Sequence, residues 1–121
     1  MFRCPKKEKL KHKKDIELLF EEGNLVTVFP LRLVFKEMLY KETCVKAGFS
    51  VSKKAFKFAV KRNRIKRLMR EAYRQEKHLI FNNSTTSYAF MFLYLGKKEP
   101  SLKDINDAMK KVLTEFIKTT S

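Results

Sequence analysis

The fold depends on one stretch of the sequence, residues 88–95, which reads Tyr88-Ala89-Phe90-Met91-Phe92-Leu93-Tyr94-Leu95. An unbroken apolar run of this length is typical of a strand that is covered on both faces. It is far too short to cross a membrane as a helix. We therefore predict that residues 88–95 form the central strand of a sheet.

A helix is predicted after this strand. Gly96–Pro100 breaks the apolar pattern, and Ser101 can cap a helix with Asp104 at the third position. The residues that follow repeat at helical spacing on one side, which is typical of a helix that packs on a core. This apolar stripe consists of Ile105, Ala108, Met109, Val112, Leu113, Phe116 and Ile117.

A longer helix is predicted before the strand, over Phe56 to His78, with Asn82-Asn83-Ser84 as the turn that follows it. At about 100° per residue, one sector of this helix is apolar and is expected to face the core. That sector consists of Ile65, Leu68, Met69, Ala72 and Tyr73.

The opposite sector of the same helix is strongly basic. Asn63, Lys66, Arg67, Arg70 and Arg74 fall together on it, with Arg62 and Arg64 at its flanks. A merely solvated charged face usually mixes signs, and here only Glu71 and Glu76 oppose the cations. The pattern favours a polyanion-binding face.

The first half of the chain predicts a basic flexible arm over residues 1–12, a short helix over Asp15–Glu22 and two strands, Leu31–Tyr40 and Thr43–Val51. We expect the two strands to pair as a hairpin with a turn near Lys41-Glu42. The fold class is then α+β. The expected architecture is an α-β sandwich of three helices on a mainly antiparallel sheet of about four strands, in the order α-β-β-β-α-β-α.

Composition supports a single domain with an acidic partner. The 121 residues include 28 Lys and Arg against 13 Asp and Glu, so the formal net charge is +15. A nucleic acid is the expected partner, and binding should weaken steeply with salt. Cys4 and Cys44 are isolated and predict neither a zinc site nor a disulfide framework. Residues 1–6 lead into charge rather than into a signal-peptide core, so we expect a cytoplasmic protein without a membrane partner.

Two segments of the chain resemble the protein subunit of bacterial ribonuclease P. The first reads Gly48-Phe49-Ser50-Val51-Ser52-Lys53-Lys54, and the second is residues 59–74, which contains Arg62-Asn63-Arg64. The spacer Ala55-Phe56-Lys57-Phe58 departs from the glycine-containing version of many family members. The resemblance implies a left-handed crossover in which the basic helix joins two parallel neighbouring strands.

The resemblance also implies the function. It predicts a protein that binds a large catalytic RNA and the 5′ leader of precursor tRNA, and that assists endonucleolytic removal of the leader. In such an enzyme the RNA carries the chemistry, and Mg2+ bound mainly by the RNA activates water. His12 and His78 are isolated and the acidic residues are scattered, so no catalytic residue and no metal site is predicted in the protein itself.

Two sets of site residues follow from the resemblance and from helical phase. The expected contacts to the catalytic RNA are Arg62, Asn63, Arg64, Lys66, Arg67, Arg70 and, by phase alone, Arg74. The expected lining of a groove for the precursor-tRNA leader is Ile16, Phe20, Arg32, Val34, Ser50, Ser52 and Lys54. Ile16 stands where an aromatic residue is expected, so apolar contact replaces stacking there.

Two other classes remain open at this point. A structural RNA-binding protein, such as a ribosomal protein or an RNA chaperone, would share the charge and the small α+β domain. A DNA-binding protein could use a long basic helix, but no helix-turn-helix neighbour or zipper accompanies it, so DNA is not expected as a partner. Only the signature over residues 48–74 separates the first alternative from ribonuclease P.

Overall fold

A computed structural model describes residues 13–38, 45–77 and 87–120 of the chain. Three helices and four strands follow one another in the predicted order, α-β-β-β-α-β-α. The predicted arm over residues 1–12, the turn at Lys41-Glu42, Cys44 and the turn at residues 82–84 lie outside the described residues. The elements are α1 (Lys13–Glu22), β1 (Asn24–Val28), β2 (Leu31–Glu37), β3 (Val45–Val51), α2 (Ala59–Glu76), β4 (Tyr88–Tyr94) and α3 (Leu102–Thr120).

The four strands form one sheet in the order β1-β2-β4-β3. β1 pairs with β2 and β2 with β4 in antiparallel orientation, whereas β3 and β4 are parallel. β4 is therefore an inner strand with a neighbour on each side, as its apolar sequence predicts. Because α2 lies between β3 and β4 in the chain, the basic helix connects two parallel neighbouring strands. The left-handedness of this crossover stays a prediction.

The predicted hairpin between the second and third strands is wrong. β4 lies between β2 and β3, and β2 instead forms a hairpin with β1 across the turn at Phe29-Pro30. The physical reason is that β4 is apolar on both faces, so it is stabilised in an inner position where both faces are covered. Alternation along β2 and β3 identifies them as strands, but it does not specify their partners.

The larger core lies between the sheet and the pair α2 and α3. α2 packs on β3 and α3 packs on β1 and β2, while the two helices also contact each other. Phe90 of β4 lies at the centre, with its ring centroid 4.8 Å from that of Phe116 and 5.8 Å from that of Phe92. These edge-on aromatic pairs add about 1 kcal/mol each beyond the area that they bury.

The apolar stripes predicted for the two long helices are confirmed. Leu68 and Ile117 are partly buried against the core, and Ser101 caps α3 by accepting a 3.1 Å hydrogen bond at Oγ from the Asp104 amide. α2 begins three residues later than predicted, because Phe56 turns into the core and packs 6.0 Å from the Tyr94 ring. The buried members of the stripes are Ile65, Met69, Ala72, Tyr73, Ile105, Ala108, Met109, Val112, Leu113 and Phe116.

Of the helices that the structure describes, α1 is the one that packs on the opposite face of the sheet. Leu19 of α1 is fully buried against Val34, Ala89 and Met91, and this small cluster fixes the helix over β2 and β4. The main contacts of α1 are with β2 and β4, so among the described residues the β3 side of this sheet face is less covered than the part beneath the helix. In the described part of the chain, no helix has the length and apolar character needed to span a membrane.

Candidate nucleic-acid interface

The basic face of α2 has the one-sided charge that the sequence predicts. Asn63, Arg67 and Arg70 are exposed and Lys66 is half-buried. Among the residues that the structure describes, neither Lys66, Arg67 nor Arg70 forms an ion pair with a carboxylate. Three positive charges on one helix face without opposing charges favour a polyanionic partner.

Arg62, the first residue of the Arg-Asn-Arg motif, is directed at the chain itself. Its Nη1 donates hydrogen bonds to the carbonyl oxygens of Phe56 and Lys57, at 2.8 and 2.9 Å. These bonds fasten the segment before α2 to the first turn of the helix. Arg62 therefore positions this segment, whatever its remaining N–H groups contact.

Arg64 and Arg74 are each paired with a carboxylate. Arg64 Nη1 lies 3.4 Å from Glu99 Oε1, which ties α2 to the segment that follows β4. Arg74 bonds to Glu71 one turn earlier, and this hydrogen bond lowers the pKa of the Glu71 carboxyl below its ordinary value. Both pairs are largely exposed, so each contributes little to stability and is exchangeable for a phosphate.

Arg70 lies against an aromatic ring. Its guanidinium carbon is 5.9 Å from the centroid of Phe49, a β3 residue that also stacks on Phe92 with centroids 5.5 Å apart. A cation over an aromatic face gains about 0.5–1 kcal/mol at an exposed site. The contact therefore orders Arg70 at the boundary between α2 and the sheet.

A cleft of about 650 Å³ follows the outer edge of β3. Gly48 and Phe49 of β3 line it, together with Ile16 of α1 and Met91 of β4. Of the described residues that line the cleft, four are cations and none is acidic. The four cations are Lys66, Arg70, Arg74 and Lys77.

The open part of the sheet beside α1 contains two of the predicted groove residues in one row. Leu93 of β4 has Arg32 of β2 as its partner on one side and Ser50 of β3 on the other. Neighbouring strands lie about 4.8 Å apart, so these three side chains share a short strip of surface. Arg32 Nε donates a 3.1 Å hydrogen bond to Thr27 Oγ1, which holds the guanidinium along the sheet.

The α1 side of the predicted groove is less uniform. Ile16 is half-buried and lines the cleft at the β3 edge, and Phe20 is exposed over 52% of its surface. Val34 is only 3% exposed, because Leu19 and Met91 cover it. Val34 thus supports the floor of the groove, and it does not offer the contact surface that the sequence interpretation assigned to it.

Ser52 and Lys54 follow β3 in a tight turn. Ser52 Oγ accepts hydrogen bonds from the amides of Lys54 and Ala55, at 3.1 and 3.4 Å. The Ser52 side chain thereby shapes the turn, while the Lys54 side chain is exposed. Both residues lie beyond the end of β3, displaced along the chain from the strip formed by Arg32 and Ser50.

Sequence reasoning missed one cation and the role of another. Lys77 lines the cleft, and its spacing of seven residues from Arg70 could have revealed it. The positioning role of Arg62 had no sequence signal, because it depends on how the preceding segment turns. In the described part of the chain, no three His, Cys, Asp or Glu residues are grouped so as to hold a metal ion.

These features define a class of protein: a small α+β domain that presents cations and aromatic rings to a nucleic acid. Residues 4–117 match the family model described as ribonuclease P. The chain belongs to the ribonuclease P protein family. It is accordingly the protein subunit of an endoribonuclease that contains RNA, which settles the choice between this function and a structural RNA-binding protein.

Relatives and solved structures agree with this assignment. The ribonuclease P protein component of Porphyromonas gingivalis strain W83 is 38% identical over 120 residues, which cover 93% of this chain and 85% of the relative. That of Chlorobaculum tepidum is 32% identical over 126 residues, with coverage of 93% and 82%.

The fold is that of solved ribonuclease P proteins. The Staphylococcus aureus protein superposes with a TM-score of 0.73 at 21% identity, covering 92% of this chain and 96% of that one. The Thermotoga maritima protein gives a TM-score of 0.66 at 19% identity, also with coverage of 92% and 96%. The α+β class and the mixed four-stranded sheet are therefore confirmed.

Proposed function

We propose that this subunit binds the catalytic RNA of its enzyme through the basic face of α2. The single observation that carries this proposal is that Lys66, Arg67 and Arg70 form one charged surface without a carboxylate partner among the described residues. Arg64 and Arg74 extend this surface, since an exposed ion pair can be exchanged for a phosphate contact at little cost. Asn63 adds a neutral hydrogen-bonding group, and Arg62 holds the segment from which the helix begins.

We further propose that the 5′ leader of precursor tRNA lies along the open sheet beside α1. Arg32, Leu93 and Ser50 offer a cation, an apolar surface and a hydroxyl in one row. Phe20 supplies an exposed ring on the helix that borders this row. A single strand is bound by such a combination of cations and rings without a need for base-specific contacts.

The cleft at the β3 edge connects the two surfaces, because Ile16 borders the sheet side while Lys66 and Arg70 belong to α2. The RNA bound to α2 and the leader beside α1 would then lie close together, separated by β3. This arrangement supports a subunit that holds the substrate strand close to the catalytic RNA.

The chemistry is proposed to belong to the RNA. Mg2+ bound by the RNA would supply the activated water and stabilise the leaving oxygen. The protein would contribute binding and positioning of the RNA and of the substrate. We place this activity in the cytoplasm, where the enzyme would meet precursor tRNA.

Reconstitution tests this function directly. The purified protein is mixed with catalytic RNA of the same source, and cleavage of precursor tRNA is measured at low Mg2+, with each component alone as a control. We expect cleavage at the mature 5′ end to require both components. Cleavage by the protein alone would contradict the assignment of chemistry to the RNA, and tight RNA binding without stimulation would contradict the proposed assistance.

A further inference from the structure

Phe58 is placed where neither helix capping nor core packing explains it. It is the N-cap residue of α2, with φ −89° and ψ 129°, and it forms no side-chain capping hydrogen bond. Its ring is 70% exposed. Ser, Thr, Asp or Asn stabilises a helix at this position, and an aromatic residue does not. A residue that breaks a local rule without a structural gain indicates a function.

The segment that carries Phe58 is held firmly. Phe56 is buried against Tyr94, and the Tyr94 hydroxyl donates a 2.6 Å hydrogen bond to the carbonyl of Lys98. Arg62 binds the carbonyl oxygens of Phe56 and Lys57, as described above. The amides of Lys61 and Arg62 both donate to the carbonyl oxygen of Phe58, at 3.2 and 3.3 Å. The exposed ring is thus presented from a fixed backbone, which reduces the entropy lost when a ligand stacks on it.

The surroundings of Phe58 are cationic. A shallow pocket of about 450 Å³ lies beside the ring, and the only acidic residue among its described lining is Glu99, which is paired with Arg64. Val60 adds an exposed apolar side chain nearby in the chain, at 71% exposure. Five lysines line the pocket: Lys54, Lys57, Lys61, Lys97 and Lys98.

We propose that Phe58 is a stacking platform for an unpaired RNA base, with the five lysines of the adjacent pocket holding the flanking phosphates. A ring surrounded by cations fits a nucleotide, because base stacking uses the ring and phosphates use the charges. A protein partner would need a strongly acidic surface around an apolar residue. The proposal rests on the proposed RNA-binding function and adds a second contact at the N-terminal end of α2, distinct from its basic face.

Fluorescence provides the first test, because the chain contains no tryptophan. In Phe58→Trp the single indole would stack on the base, so we expect its emission to be quenched when the catalytic RNA or a short oligoadenylate binds. Leu25→Trp is the control, since Leu25 is 59% exposed on β1 and is absent from the described lining of this pocket. Equal quenching in both variants, or none in Phe58→Trp while RNA is bound, would overturn the proposal.

Affinity and stability give the second test. Phe58→Ser should weaken binding of both RNAs by about tenfold with an unchanged salt slope, because a stacking contact is lost and no charge is removed. The same change should raise the melting temperature, since serine caps a helix and phenylalanine does not. Phe58→Leu should also lose affinity, because leucine keeps apolar contact but cannot stack. Wild-type affinity in either variant, or an equal loss in Leu25→Ser, would refute stacking.

The outcomes separate this site from the function on which it rests. If the wild-type protein binds oligoadenylate with quenching in Phe58→Trp but does not stimulate precursor cleavage, the stacking site stands and the proposed assistance fails. If it stimulates cleavage while all Phe58 variants behave as wild type, the function stands and the site is refuted. A wild-type protein that binds neither RNA would overturn both.

Discussion

Replacement of Arg62 by alanine should destabilise the fold more than it weakens the charge-driven part of RNA binding. The arginine donates from Nη1 to two carbonyl oxygens, at 2.8 Å to Phe56 and 2.9 Å to Lys57. Alanine leaves both carbonyls without this donor and releases the segment before α2. We therefore expect the first turn of α2 and the packing of Phe56 to loosen together.

The magnitude follows from the environment of the two bonds. A hydrogen bond to a charged donor contributes about 1.5–3 kcal/mol net when it is shielded from water. The bond to Phe56 is partly buried, so its contribution to stability is near this range. The bond to Lys57 is exposed and contributes little. We expect a loss of about 2 kcal/mol, which lowers the melting temperature of a domain of this size by roughly 8 °C.

Urea and thermal unfolding of the free protein measure this loss, with Arg67→Ala as the matched control. Arg67 is exposed on the same helix and has no partner among the described residues, so its removal should change stability by less than about 0.5 kcal/mol. Salt titrations of RNA binding complete the comparison, and Arg67→Ala should there show the larger change in slope. Wild-type stability in Arg62→Ala, together with a reduction of the salt slope as large as that in Arg67→Ala, would refute the positioning role.

Three further changes test the surfaces and the small core. Arg67→Ala should reduce the salt slope of catalytic-RNA binding by about one unit, because one phosphate contact is lost. The control Lys118→Ala, on α3, should leave the salt slope unchanged. Equal slopes in the two variants would contradict the assignment of RNA binding to the basic face of α2. Phe20→Ala should weaken binding of precursor tRNA by about tenfold and leave mature tRNA unaffected, measured with the reconstituted enzyme. An equal loss for both substrates would count against the leader groove. Leu19→Ala should lower the free energy of unfolding by about 2–5 kcal/mol, measured in urea, because Leu19 of α1 is fully buried against β2 and β4. A loss below about 1 kcal/mol would show that α1 is not fixed by this contact.

The sequence predicts elements better than it predicts neighbours. The run over residues 88–95 predicts an inner strand because both of its faces are apolar, and β4 is one. The alternation in β2 and β3 carries no information about partners, so the hairpin between them was wrong. Pairing depends on which strand is stabilised most by an inner position, and this stabilisation depends on the whole sheet.

The same distinction applies to the candidate site. Helical phase is enough to place Arg67 and Arg70 on one face, because the positions on a single helix are fixed by its geometry. The pairing of Arg64 with Glu99 joins residues 35 positions apart, and no local pattern predicts it. For Val34, alternation predicts the correct face of the sheet but not its burial. Leu19 covers Val34, and this contact depends on tertiary packing.

The inner position of β4 has a consequence for synthesis of the chain. β2 and β3 do not pair with each other, so the β1–β2 hairpin and β3 are joined into one sheet only when β4 enters between them. While the chain is being made, α2 therefore emerges before its platform is complete, with its apolar stripe uncovered and its cations already available. A nascent chain that stops before residue 88 would carry an unsupported basic helix, which is suited to indiscriminate association with any nearby RNA.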